Sequence, residues 1–268
     1  MNAQTRQPGQ TRDRALVLGC GIDRLGMSQT LAQCQAIIDQ GIFAQQVSVN
    51  AAKLVALRKD AYLREVVNRC ELVNADGQSV VWASRLLGDP LPERVAGVDL
   101  MHGLLAMAEE QGYGVFILGA RADVLDLAIE RLHEIHPELV IAGSHHGYFS
   151  DDQSPEIAVE IRAAKPQILF VAMSSPRKEH WLGEYGPSLG VPLVMGVGGA
   201  IDIVAGVTRR APLTWQRLGI EWLYRLLQEP RRMLRRYVVT NTQFSALVAR
   251  GMVARALGSG SRSSSGAR

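Results

Sequence analysis

Cysteine is scarce in this chain of 268 residues, which contains only Cys20, Cys34 and Cys70. Their number is odd, and no two of them have the Cys-x-x-Cys spacing of zinc and redox motifs. These facts argue against a fold held together by disulfides and against a zinc site built from cysteines. We therefore expect three reduced thiols, buried in the interior as is usual in the cytoplasm.

Long apolar segments are lacking as well. The longest run, at 191–206, is interrupted by glycines and by Asp202, and it is too short to cross a bilayer. The first fourteen residues are polar and lack the apolar region of a signal peptide. We therefore expect a cytoplasmic protein.

Lysine is absent from residue 209 to the end, where twelve arginines face two glutamates. This segment has a formal charge of +10 against +3 for the whole chain, so residues 1–208 carry −7. A nucleic-acid-binding domain is usually basic throughout, so nucleic acid is not an expected partner. The asymmetry instead predicts an acidic body and a basic segment that meets another anionic partner.

Short apolar runs alternate with amphipathic segments along most of the chain. Most of the runs are apolar without alternation, which is typical of parallel strands covered on both faces. The predicted strands are 15–19, 45–50, 71–75, 114–119, 138–143, 167–173 and 192–197. The predicted helices between them are 28–40, 52–69, 77–87, 99–112, 121–136, 153–164 and 175–185. We therefore predict an α/β fold, a Rossmann-like and mostly parallel sheet with helices on both faces.

The pattern divides the chain into four segments. We expect disorder at 1–13, an α/β core at 14–210, a basic helical appendage at 211–250 and a disordered tail at 251–268. In the appendage, Leu218, Trp222 and Leu226 form an apolar stripe flanked by arginines, which is typical of a helix on an anionic membrane surface. An ordinary packed helical hairpin with a solvated basic face is the alternative.

Polar residues follow several of the predicted strands, where α/β proteins bind ligands. They are Ser48 and Asn50, then Asp76, then Gly119, and finally the turn at 196–199. Asp76 is the best candidate for a catalytic base, because a carboxylate at a strand end can accept a proton from a bound hydroxyl. An Asp-Gly pair that only makes a turn is the alternative.

Two other motifs are weaker. Gly19-Cys20-Gly21 is similar to a dinucleotide fingerprint, but the third glycine is missing, so a tight turn is favoured over an NAD-dependent oxidoreductase. His145-His146 has no cysteine or carboxylate at ligand spacing, so we expect no metal site and no cofactor.

Several motifs together resemble the WecG/TagA/CpsF glycosyltransferases, glycosyltransferase family 26, over roughly residues 15–245. They are Ser48-Val49-Asn50, Asp76-Gly77, RVAGVD at 94–99, SSPRKEHW at 174–181, GVGGAIDIVAGVTRRAP at 196–212 and LGIEWLYRLLQEPRRMLRRY at 218–237. The last two follow each other in an order that is highly specific for the family.

The resemblance implies an inverting, metal-independent transfer from a UDP-sugar onto a polyprenyl-diphosphate-linked sugar, peripheral on the inner face of the cytoplasmic membrane. It implies Asp76 as the catalytic base, with Ser48 and Asn50 beside it. The substrate-binding residues expected from the matched motifs and strand ends are Arg94, Asp99, Gly119, Lys178, Gly196, Gly198, Gly199, Asp202, Arg225, Arg231, Arg232 and Arg235. The sequence does not decide whether the protein forms a homo-oligomer.

Three positions depart from the family pattern. Ser48 replaces threonine, Lys178 replaces glutamine, and Gln78-Ser79 stands where a second glycine is common. The lysine puts a cation where an amide is usual, so the donor stays open between N-acetylmannosamine and other hexoses, including glucose.

Overall fold

The computed structural model describes residues 13–228 and 230–260, without the side chains of residues 217, 231–233, 235, 236 and 258–260. Two antiparallel strands come first, β1 (Arg14–Val17) and β2 (Cys20–Asp23). Six more form a parallel sheet in the order β4-β3-β8-β7-β5-β6. Their bounds are β3 (Ala44–Val49), β4 (Leu72–Ala75), β5 (Val115–Gly119), β6 (Ile141–His145), β7 (Ile168–Ala172) and β8 (Leu193–Gly196).

Helices connect the strands in alternation. Those of the core are α1 (Met27–Gln40), α2 (Ala51–Lys59), α3 (Ala61–Arg69), α4 (Gln78–Leu86), α5 (Gly97–Gln111), α6 (Ala122–Ile135), α7 (Ser154–Ala164), α8 (Arg177–Tyr185) and α9 (Ala200–Val204). Those of the C-terminal segment are α10 (Leu213–Arg217), α11 (Glu221–Gln228) and α12 (Pro230–Gly260).

Both faces of the parallel sheet are buried, because successive side chains of one strand point to opposite sides. Val115 and Ile117 of β5 pack with α1, α5, α6 and α9, whereas Phe116 and Leu118 pack with α7 and α8. The predicted α/β fold with helices on both faces is confirmed. The three cysteines are buried and none of them forms a disulfide, as predicted.

The first predicted strand, 15–19, does not belong to this sheet. It forms a hairpin whose turn, Leu18-Gly19, has left-handed φ values of 52° and 84°. Two such residues make the tight turn that suits a twisted antiparallel hairpin. Gly19-Cys20-Gly21 therefore does not connect a strand to a helix, and the structural basis for a dinucleotide site is absent from this motif.

One predicted helix is divided in two. The segment 52–69 forms α2 and α3, because Asp60 leaves the helical conformation between them. Its side chain accepts a hydrogen bond from the backbone N–H of Leu63 at 2.9 Å, which caps α3.

The C-terminal helices pack on the core. Helix α12 lies against α2 and α4, and its Phe244 and Val248, each 7% exposed, join the hydrophobic core of the β1–β2 hairpin, α2, α3 and α4. The helix continues past residue 250, where we predicted the appendage to end. Removing the segment would therefore uncover part of the core.

The strand order creates one crevice in the sheet. Strand β3 lies beside β8, yet α2 after β3 and α9 after β8 pack on opposite faces. Such a switch point leaves an opening at the carboxyl ends of the strands, where ligands bind in open α/β sheets.

Candidate active site

A cavity of about 710 Å³ lies between the carboxyl ends of β3 and β4 and the C-terminal helices. On the core side it is lined by Asn50, Asp76 and Arg94. On the other side α11 and α12 contribute, among others, Glu221 and Arg225. The C-terminal segment thus forms one wall of the cavity that contains the predicted base.

Asp76 is held in place by the sheet. Its backbone N–H donates to the carbonyl of Val49 at 2.9 Å, just beyond the last residue of β4. Burial raises the pKa of its carboxyl above the ordinary value, and the negative charge of Glu221 raises it further. The positive charges of Arg94 and Arg225 and a hydrogen bond from the backbone N–H of Gly97 oppose this rise. A carboxyl with a raised pKa is a better proton acceptor near neutral pH than an ordinary aspartate.

The two other predicted catalytic residues lie at different depths. Asn50 is exposed in the cavity, and its Oδ1 caps α2 by accepting a hydrogen bond from the N–H of Lys53 at 3.0 Å. Ser48 does not line the cavity. Its Oγ accepts from Gln46 Nε2 at 3.3 Å and lies close to Gly97, the first residue of α5. Ser48 therefore lies behind Asp76, on the side of the α5 N-terminus.

Ion pairs join the C-terminal segment to the core beside the cavity. Arg210 binds Asp99 through both terminal nitrogens, at 2.5 and 2.8 Å. Arg94 Nη1 lies 2.5 Å from Glu221 Oε2, and Arg210 Nε lies 3.4 Å from Oε1 of the same carboxylate. The predicted substrate-binding residues Arg94 and Asp99 thus hold α11 in position.

Arg209 and Arg225 differ from Arg94 and Arg210 in their surroundings. Both line the cavity and both are exposed. Among the described residues, neither has a carboxylate within ion-pair distance. They are therefore the guanidinium groups most available to an anionic ligand at this site.

The matched family model fits this arrangement. A model of the glycosyl transferase WecG/TagA/CpsF family matches residues 15–257, which include both walls of the cavity. The chain belongs to this family. It is therefore a glycosyltransferase, and the family fits a role in the synthesis of cell-wall or other polysaccharides.

The position of Lys178 in this glycosyltransferase is unusual, because the residue is buried. Its ammonium lies 3.9 Å from Glu179, which also pairs with Lys53 at 2.9 Å. Burial lowers the pKa of Lys178 to about 8, and Lys53 acts in the same direction, while Glu179 and Asp76 oppose it. A Cβ on Gly196 would lie 2.8 Å from Lys178 Cε, so this glycine leaves room for the lysine at the end of β8.

The remaining predicted substrate-binding residues do not line the cavity around Asp76. They lie at or just after the carboxyl ends of β5 and β8, and they are Gly119, Gly198, Gly199 and Asp202. Gly198 has a left-handed φ of 54° in the turn before α9. Gly119 has a φ of 133°, and a Cβ there would lie 2.5 Å from the carbonyl carbon of Ala172. The close approach of two strand ends accounts for this glycine, whose predicted substrate role stays a prediction.

Some predicted residues are not described. The side chains of Arg231, Arg232 and Arg235 lie outside the part of the chain that the structure describes. Among the described residues, no helix is long and apolar enough to span a membrane, and no three histidine, cysteine or acidic side chains gather as metal ligands would.

Many lining residues of the cavity were not predicted as site residues, and four of them are of chemical interest: Trp82, Arg209, Arg210 and Glu221. The sequence contained a signal for three of them, because they stand in the TRRAP and IEWLYR motifs at 208–212 and 220–225. No motif pointed to Trp82, which lines the cavity from α4.

Proposed function

We propose that this glycosyltransferase moves a hexose or N-acetylhexosamine from a UDP-sugar onto a polyprenyl-diphosphate-linked sugar. The donor is of the N-acetylmannosamine or glucose type, and the transfer inverts the anomeric configuration. The observation that carries this proposal is one cavity in which the partly buried carboxyl of Asp76 faces arginines from both walls.

The chemistry needs one base. Asp76 accepts the proton of the acceptor hydroxyl as that oxygen attacks the anomeric carbon of the donor. The new bond forms on the face opposite the leaving group, the bond from the anomeric carbon to the diphosphate oxygen breaks, and UDP leaves with both electrons of that bond. One carboxylate beside the acceptor is enough for this displacement, because no covalent sugar–enzyme intermediate is formed.

The leaving UDP carries the negative charge that develops during the transfer. Guanidinium groups suit a diphosphate, because their planar forks donate two hydrogen bonds at once. Arg209 and Arg225 face the cavity without a carboxylate partner among the described residues, so we assign them to the diphosphate. The positive groups are in place before the charge develops, which favours the transition state.

The acceptor requires the protein to work at a membrane. Several large apolar side chains of the C-terminal segment are about half exposed or more, among them Leu213, Leu218, Leu227, Leu234, Val238 and Val239 at 47% to 66%. An apolar surface on a segment with a formal charge of +10 is suited to an anionic membrane. We therefore place the enzyme at the inner face of the cytoplasmic membrane, as a peripheral protein, with Arg231, Arg232 and Arg235 among the groups that contact lipid phosphates.

A transfer assay tests the proposal. The intact protein is incubated with a series of UDP-sugars and a synthetic lipid-diphosphate sugar, and released UDP and the product are measured together. We expect UDP release that requires the acceptor, with a product whose anomeric configuration is opposite to that of the donor. A product of retained configuration, or the same activity with a nucleotide sugar that lacks uridine, would contradict it.

Membrane binding is tested separately with vesicles. We expect the protein to sediment with anionic vesicles at low salt and to be released as salt is raised, because each basic residue near the surface contributes about 1 kcal/mol. Neutral vesicles are the control. Equal sedimentation with both kinds of vesicle would exclude recognition of anionic lipid.

A further inference from the structure

The cavity around Asp76 changes character along its length. Its end beneath α11 is charged, with Asp76, Arg94 and Arg225 in its walls. Beyond them α12 contributes the hydroxyl and amide groups of Thr240 and Asn241. The other end lies between α4 and α12 and is lined mainly by apolar side chains. We refer to this end as the α4–α12 groove.

One wall of the α4–α12 groove is a face of α4. Gln78, Trp82 and Leu86 recur every four residues, so they lie along one side of the helix, and all three line the cavity. At 1.5 Å per residue this stripe is about 12 Å long. It begins with an amide near the charged end and finishes with a leucine.

The opposite wall is a face of α12. Phe244, Val248 and Met252 have the same spacing of four residues and line the same cavity. The two helices touch beyond the groove, where a Cβ on Gly251 would lie 2.6 Å from Leu87 Cδ2. Both stripes therefore lead from the charged end of the cavity toward this crossing.

The groove leaves large apolar side chains uncovered. Trp82 is 50% exposed, Leu86 is 53% exposed and Met252 is 40% exposed, whereas Phe244 and Val248 are 7% exposed at the base. The protein itself therefore fills the base of the groove but not its mouth. Adjacent apolar side chains left open to water in a groove indicate a binding surface for an apolar partner.

We propose that the α4–α12 groove binds the isoprene units of the acceptor that lie next to its diphosphate. This inference rests on the proposed function, because it takes the acceptor to be a polyprenyl-linked sugar. The groups of the acceptor follow the same order as the groups that line the cavity. The acceptor sugar lies at Asp76, its diphosphate passes the hydroxyl and amide groups of Thr240 and Asn241, and the hydrocarbon follows along Trp82 and Leu86. The groove then selects acceptors by the hydrocarbon that follows the diphosphate.

Two synthetic acceptors with the same sugar and diphosphate test the proposal. One carries a short alkyl chain and the other carries several isoprene units. We expect Leu86→Ser and Met252→Ser each to raise KM for the isoprenoid acceptor about tenfold more than KM for the alkyl acceptor, the loss expected for one large apolar contact. The matched control is Val159→Ser on α7, which is 60% exposed outside the groove and should change neither KM.

A binding experiment separates failure of this proposal from failure of the proposed function. The probe is a short isoprenyl diphosphate with a photoreactive group on its hydrocarbon end, and no donor sugar or transfer is required. We expect cross-links on α4 and α12, reduced in Leu86→Ser and in Met252→Ser but not in Val159→Ser.

Either of two results would overturn the proposal. One is equal changes in KM for the two acceptors in the groove variants. The other is cross-linking elsewhere on the protein, or cross-linking that a fatty acid of similar length removes as well as unlabelled isoprenyl diphosphate does.

Discussion

Arg210 and Asp99 form a bidentate ion pair that joins the C-terminal segment to the first turn of α5, with nitrogen–oxygen distances of 2.5 and 2.8 Å. Arg210 also reaches Glu221 at the start of α11. The wall of the cavity that carries Arg225 is therefore held by contacts at the edge of the site.

We predict that Arg210→Ala and Asp99→Ala each lower turnover, because α11 is released from its position over Asp76. Their effects on stability should be small and non-additive, with a coupling energy of at most about 1 kcal/mol, since both side chains are partly exposed. A double-mutant cycle in denaturant measures this. The exposed pair Arg121–Asp123 is the control and should couple less. Additive losses of stability would contradict the prediction.

The same ion pair should make stability depend on pH. Burial alone would raise the pKa of Asp99, but the hydrogen bonds and charge of Arg210 hold that pKa below its ordinary 3.8. The pair therefore stabilises the fold above pH 3.8, and this contribution is lost as pH falls through the lowered pKa. The free energies of unfolding of the native protein and of Asp99→Asn should therefore become equal as pH falls through that range. A difference in unfolding free energy that persists at low pH would contradict the ion pair.

Asp76 should show the opposite behaviour in stability. Its folded pKa is raised by burial, so the folded state holds its proton more tightly than the unfolded state does. The native protein therefore loses stability as pH rises from about 3.8 through the raised pKa. We expect Asp76→Asn to be as stable as the native protein at pH 7, or more stable, in chemical denaturation. A clearly less stable variant would mean that Asp76 is structural.

Lys178 is predicted to destabilise the fold at neutral pH. Its folded pKa of about 8 lies below its ordinary 10.5, so the penalty for the buried charge is present below pH 8 and is relieved between 8 and 10.5. Between pH 8 and 10.5 the free energy of unfolding of the native protein should rise by on the order of 3 kcal/mol relative to that of Lys178→Gln. Chemical denaturation of both proteins across this pH range measures the change. A difference in unfolding free energy that does not vary with pH would contradict the burial of the charge.

Lys178→Gln also tests specificity. The lysine lies beside Gly196 at the end of β8, and its charge interacts with Asp76. We expect the change to alter the relative rates with N-acetylmannosamine and glucose donors. The same ratio of rates in both proteins would exclude Lys178 from donor selection.

The sheet was predictable because its strands are covered on both faces. Runs such as 114–119 are apolar throughout, which distinguishes them from half-exposed strands. The first run, 15–19, has the same composition but pairs with β2 in a hairpin. Its place depends on the left-handed turn at Leu18-Gly19, and Leu18 gives no signal for that conformation.

The core side of the candidate site was more predictable than its opposite wall. Asp76, Asn50 and Arg94 follow strands or stand in specific motifs, and the structure places all three at one cavity, whereas Arg225 was the one predicted residue of the opposite wall whose side chain is described there. The opposite wall depends on contacts between residues far apart in the chain, such as Gly251 against Leu87 and Arg210 against Asp99. Amphipathic spacing indicated helices in this segment but could not indicate which groups they would face.

The transfer rate of Asp76→Asn tests the central claim most directly. The measurement is a single turnover with bound UDP-sugar and acceptor, with UDP affinity determined in parallel. We predict a rate at least about 100-fold below that of the native protein, with UDP affinity largely kept, because the amide preserves the shape and removes the proton acceptor. Asp126→Asn, exposed on α6, is the control and should transfer normally. A near-normal rate for Asp76→Asn would contradict the assignment of Asp76 as the base.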